Sequence, residues 1–158
     1  MTILVFTISC GTYSYTSTNI PILAPTISIP NFKNSADFFD PDIGFFLAEA
    51  LQKRFQQDEN VDLIEENADI LVEGKIIDYQ IKSTTLLSTN STQTNSLSII
   101  VKLKATILNE PERNINKKFT DFVEYNANQN FTNVNDSLNL ILSEKLADRI
   151  YYEMAIKW

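Results

Sequence analysis

Few side chains in this sequence could do chemistry, and their types narrow what that chemistry is. One cysteine, Cys10, stands in a chain with no histidine. Ser-His-Asp and Cys-His arrangements are therefore excluded, and the commonest metal ligand and general base are missing together. Asp40 and Asp42 come nearest to a carboxylate pair. Asp40-Pro41 is better explained as a helix start, where Asp caps free N–H groups and Pro has no donor to leave unpaired. Gly11, Gly44 and Gly74 are too scattered for a phosphate-cradling loop. The acidic residues between Asp58 and Glu73 read as a solvated face or as a calcium site, although the alternating-oxygen loop of an EF-hand is absent. These exclusions favour a binding protein over an enzyme, with no cofactor and no metal. What remains is charge: Lys75, Lys82, Lys102, Lys104, Lys117 and Lys118 all fall in strand-like segments of a chain whose net charge is -7. Residues two apart on a strand share a face, so Lys102 and Lys104 point together, away from the core. They either guard exposed strands against edge pairing or form a basic stripe for an anionic ligand. The negative net charge argues against nonspecific nucleic-acid binding.

The thiol has a more specific reading. In Met1-Thr-Ile-Leu-Val-Phe-Thr-Ile-Ser-Cys10-Gly11 a short apolar run leads through small residues to Cys-Gly, which resembles the end of a bacterial lipoprotein signal. Such signals are cut before the cysteine, which then carries the lipid. At ~0.8 kcal/mol per buried CH₂, several acyl chains on one residue make a stable anchor. Residues 1–9 are then a signal segment, residues 10–25 a lipidated tether, and residues 26–158 a single domain. The alternative is a buried cysteine after a first strand, since free Cys is among the most buried residue types.

Behind these residues lies a readable set of elements. Thr26 to Phe32 alternates apolar and polar and predicts a strand, with Pro30 placing it near an edge or a strand end. After Asp40-Pro41, Ile43, Phe46, Leu47, Ala50, Leu51 and Phe55 recur at helical spacing. Phe45 falls on the opposite side, either as a harmless single residue or as a partner contact. A short strand from Val61 to Glu65 precedes a long one from Ala68 to Ser83, whose apolar phase slips near Gly74 or Ile76 and so predicts a bulge. The segment from Thr84 to Ser96 is rich in hydroxyls and amides and reads as a hairpin tip carrying exposed Leu86 and Leu87, either an idle loop or a partner contact. Leu97 to Leu108 and Ile115 to Tyr125 alternate as strands around a turn at Pro111 to Asn114. From about Val134, Leu138, Leu142, Leu146, Ile150 and Met154 repeat at four-residue steps and predict a terminal helix. Lys145 falls on that helix's solvent side, where its loss should matter little. The predicted fold is α+β: a two-layer sandwich in which a four- or five-stranded, mainly antiparallel sheet is covered on one face by two helices.

Cys10-Gly-Thr-Tyr-Ser, Ile29-Pro-Asn-Phe-x-Asn34, Leu47-x-Glu-Ala-Leu, Ala68-Asp-x-Leu-x-x-Gly74-x-Ile-x-x-Tyr79 and a terminal helix ending in Trp158 together resemble the lipopolysaccharide-assembly lipoprotein family, LptE-like, in its Bacteroidetes-type branch. The resemblance implies an outer-membrane lipoprotein of a Gram-negative bacterium, lipid-anchored at the periplasmic side. Such a protein binds and helps assemble the β-barrel that inserts lipopolysaccharide into the outer leaflet, and contacts lipopolysaccharide itself. On that reading Leu86, Leu87 and Phe45 are the candidate partner contacts, and Lys102 and Lys104 the candidate lipopolysaccharide contacts. Part of the pattern, Ala68-Asp-x-Leu-Val-x-Gly74 after Leu-x-Glu-Ala-Leu, is also similar to lipoproteins of the curli-secretion and peptidoglycan-synthase-activator types, which implies an anchored partner-binding domain without a lipopolysaccharide role.

Overall fold

The fold is seen in a computed structural model that describes residues 24–36, 40–84 and 93–156. Cys10, the tether before residue 24, and Leu86 and Leu87 lie outside the described residues. The segment predicted as one first strand is divided at Pro30: β1 spans Thr26–Ser28 and β2 spans Lys33–Asn34. Proline cannot donate to a ladder, so the pairing stops there and resumes beyond it. Helix α1 (Ile43–Gln56) follows, then β3 (Asp62–Leu63), β4 (Ile70–Thr84), β5 (Thr94–Ile107), β6 (Ile115–Asn126) and helix α2 (Phe131–Ala155).

All six strands form one sheet in the order β3-β1-β4-β5-β6, with β2 added beside β4. β4, β5 and β6 are the antiparallel meander read from the sequence. The short strands pair in parallel, β1 with both β3 and β4, and β2 with β4. α1 supplies the crossover from β1 to β3 that a parallel pair requires. The expected bulge lies at Ile77, where the β4–β5 register shifts between Ile76 and Asp78. It turns Tyr79 to the face that Ile76 occupied, and both side chains are buried.

Both helices lie against one face of the sheet. α1 buries Ile43, Leu47, Leu51 and Phe55, and α2 buries Leu138, Leu142, Leu146, Ile150 and Met154. From the sheet, Val72, Ile76, Ile99, Val101 and Leu103 meet them. Each large side chain removed from water contributes roughly 1.5–3 kcal/mol, so this single interface is the main source of stability. α2 begins at Phe131, three residues earlier than the spacing suggests, because the Asn130 side chain accepts the Thr132 N–H at 3.1 Å.

Phe32 locks the layers together. Its ring lies on Gly74 of β4, and an added Cβ there would overlap the ring. Its backbone carbonyl touches Gly44 of α1, and its N–H donates to the Gly44 carbonyl at 3.3 Å. Gln52 adds a second tie, donating to the Ile29 carbonyl at 2.7 Å. Gly74→Ala should cost roughly 1–3 kcal/mol by overpacking, and Leu146→Ala roughly 2–5 kcal/mol by leaving a cavity. Thermal melts of the two variants check this: both should fall by several degrees, and an unchanged Gly74→Ala melt would mean that Phe32 is not seated there.

Candidate functional site

The face of the sheet turned away from the helices carries the lysines, and strand register gathers them. Lys33 pairs with Lys75, Lys75 with Lys102, and Lys102 with Lys118, so four lysines stand directly opposite one another across β2, β4, β5 and β6. With neighbouring strands 4.7–4.9 Å apart, the row is about 14 Å long. Like charges directly opposite on a sheet are destabilising. All four are exposed, and among the described residues none has an ion-pair partner. A groove of about 420 Å³ lies along part of the row, lined by Lys33, Lys75 and Lys102 together with Lys104 and the carboxylate of Glu73.

The other sequence-predicted lysines divide. Lys104 is on the same face but pairs loosely with Glu73, its cross-strand partner, at 3.8 Å. Lys117 alternates to the helix side, where it meets Glu153 of α2 at 2.7 Å. Lys82 lies farther along β4, opposite Ser96. Edge guarding does not explain Lys102 or Lys104, because β5 is flanked by β4 and β6 and has no free edge.

The long free edge is β6, and its guard comes from residues the sequence reading passed over. Asp121 sits at the inward phase of β6 between Phe119 and Val123, and is buried. Lys145 and Arg149 of α2 reach it at 2.9 and 3.0 Å. The same two cations donate to the backbone carbonyls of Phe122 at 2.6 Å and Thr120 at 2.8 Å. A strand arriving at this edge would find those acceptors occupied. Lys145 is on the solvent side of α2, as the helical spacing places it, and its amine also closes the edge. A visible signal was an acidic residue at an apolar position of a strand, with two cations four apart on the following helix.

Burial alone would raise the Asp121 pKa. The Lys145 hydrogen bond, the Phe122 N–H and the charges of Lys145 and Arg149 outweigh it and hold the carboxyl below the ordinary value. In the acidic segment, Asp58 is held low by Asn60 and by the Tyr151 hydroxyl, and Asp69 by the Thr26 N–H and hydroxyl. No group of three or more His, Cys, Asp or Glu residues among those described is arranged to hold a metal.

Asp40 is not the helix cap expected from Asp40-Pro41: the N-cap is Asp42, which has no side-chain cap bond. The Asp40 Oδ1 accepts the Asp42 N–H at 3.1 Å, while the helix itself starts at Ile43. Its Oδ2 accepts from Asn135 and Asn139 of α2, both at 2.8 Å. The Tyr79 hydroxyl lies 3.0 Å from the side-chain oxygens of the same two asparagines. Burial first, and then the Asp40 charge, raise the Tyr79 pKa, so its proton stays in place. The cluster is closed and joins both helices to the bulge of β4. Phe45, half exposed, projects from α1 edge-on to Phe46, away from the lysine row.

A sheet backed by two helices on one face and, among the described residues, uncovered and charged on the other defines an α+β sandwich domain. Three solved structures share its fold. Protein XCC0632 of Xanthomonas campestris superposes with TM-score 0.56 at 8% identity, covering 87% of this chain and 89% of that one. The minor lipoprotein of Acinetobacter baumannii gives 0.55 at 12%, covering 85% and 95%. The hypothetical protein CT253 of Chlamydia trachomatis gives 0.54 at 10%, covering 82% and 94%. No curated protein matches the chain in sequence. The LptE family model, described as lipopolysaccharide-assembly, matches residues 24–154. The chain belongs to that family, a family of non-catalytic accessory lipoproteins of lipopolysaccharide assembly.

Two measurements test the edge closure. Because the folded-state pKa of Asp121 lies below its unfolded value, its contribution is full above about pH 4 and is lost as pH falls through the folded value. Asp121→Asn should flatten that acid limb in melts taken from about pH 6 down to pH 3, whereas parallel curves would remove Asp121 from it. Lys145→Ala/Arg149→Ala should self-associate with rising concentration in light scattering, while Lys117→Ala stays monomeric.

Proposed function

We propose that this protein is an outer-membrane lipoprotein, anchored through Cys10 at the periplasmic side, that binds and helps assemble the lipopolysaccharide-translocation β-barrel. The observation that carries the reading is the family match over residues 24–154, which spans the described elements almost entirely. The open lysine face supports it: a carrier of phosphorylated, acidic glycolipid needs an exposed cationic surface, and here that surface includes Lys102 and Lys104. Barrel contact falls to the amide- and hydroxyl-rich segment around Leu86 and Leu87, because the inner wall of a barrel offers polar groups and trapped water. Half-exposed Phe45 is a second candidate contact.

Affinity purification from detergent-solubilised outer membrane, with mass spectrometry of what remains bound, tests the assignment. The expected result is one large β-barrel protein together with lipopolysaccharide. Cys10→Ser should appear in the soluble periplasmic fraction. Because β5 already begins at Thr94, inside the expected tip, the replacement by a short Gly-containing turn is confined to Ser88 to Thr92, and it should lose the barrel while the domain still folds. A cell-wall synthase or a self-assembled ring in place of the barrel would overturn the proposal.

A further inference from the structure

The lysine row has a feature that a general basic surface lacks: its members are paired with one another. Lys33, Lys75, Lys102 and Lys118 occupy directly opposed positions on four neighbouring strands, in a protein with an overall negative charge of -7. Each could have been relieved by a facing carboxylate, as Lys104 is by Glu73. None is. The free protein therefore carries a repulsive line of charge whose natural counterion is an external anion.

Geometry limits the anion. One phosphate can accept from two ammonium groups about 4.8 Å apart, so it fills half of the row. Two phosphates, one between Lys33 and Lys75 and one between Lys102 and Lys118, would be separated by two strand spacings, about 10 Å at the backbone, and by less where the long lysine side chains converge. Next to this line on the same face stand Ile100, half-buried, and Phe122, half-exposed. Ile100 is cross-strand from Asp78 and Thr120, and Phe122 from Ser98, so two apolar side chains stand within an otherwise polar margin on one side of the charges. We propose that the row is a single site for the headgroup of a lipid bearing two phosphates, with Ile100 and Phe122 meeting the apolar part beside it. Lys33, Lys75 and Lys118 thereby join Lys102. The inference rests on the reading of this face as a glycolipid-contacting surface, but its phosphate count is tested separately.

The test measures binding of the purified mature domain to vesicles containing diphosphatidylglycerol, with two phosphates, or phosphatidylglycerol, with one, at equal total phosphate. Purified lipopolysaccharide forms a further arm, and inorganic phosphate is the competitor. Wild-type protein should prefer the two-phosphate lipid by at least about tenfold, as expected when a second set of charge-assisted bonds is added. Lys33→Gln/Lys118→Gln should abolish that preference, and Lys117→Gln, on the helix side and paired with Glu153, should leave it intact. Lys75→Gln and Lys102→Gln should weaken binding while raising, or leaving unchanged, the melting temperature of the free protein, since each removes repulsion. Equal affinity for both vesicles, full displacement by millimolar phosphate, or melting temperatures lowered by these lysine changes would each overturn the site. Two-phosphate preference with no binding to lipopolysaccharide would keep the site and overturn the lipopolysaccharide reading.

Discussion

The seat of Phe32 between Gly44 and Gly74 is the constraint on which the rest of the structure depends. Only a residue without a Cβ lets the ring lie flat on β4, and only another lets α1 approach the Phe32 backbone. That contact fixes where β2 lands. With Phe32 turned inward onto Gly74, the next residue on each strand turns outward, and Lys33 meets Lys75 on the open face. One apolar contact in the core thus sets the register of the charged row on the surface.

The second helix is held by polar groups at both ends of its buried stripe. Near its start, Asn135 and Asn139 share Asp40 and Tyr79. Farther along, Lys145 and Arg149 close on Asp121. Hydrophobic burial of Leu142, Leu146 and Ile150 supplies the bulk of the attraction but no direction, since any apolar stripe would satisfy it. The hydrogen bonds specify which strand the helix lies beneath and leave β6 with its central carbonyls occupied. Among the described residues the sheet is then closed to pairing along β6 and uncovered on its lysine face.

The main-chain elements were legible because their signals are local. Leu97 to Ile107 alternates except at Ile100, Leu138 to Met154 repeats every four residues, and the phase slip in β4 announces its bulge. The divided first strand was less legible, since Pro30 marks an end but says nothing about parallel pairing with a partner some 40 residues on. Lys102 and Lys104 were found by their spacing, yet Lys33 and Lys118 join Lys102 only through pairing across strands, which spacing within one segment does not encode. Asp121 was missed for a related reason. Its burial is compensated by cations from another element, so its apolar position looked like an interruption in the pattern.

We propose that lipopolysaccharide contact lies on the open lysine face and not in the outer groove between the helices. Site-specific photo-crosslinking in living cells tests it most directly, with a photoreactive side chain placed either at Ile100, beside Lys102 on the open face, or at Ala50, in the outer groove between the helices. The account predicts that the probe at Ile100 captures lipopolysaccharide and the probe at Ala50 does not. Capture at Ala50 alone would contradict it.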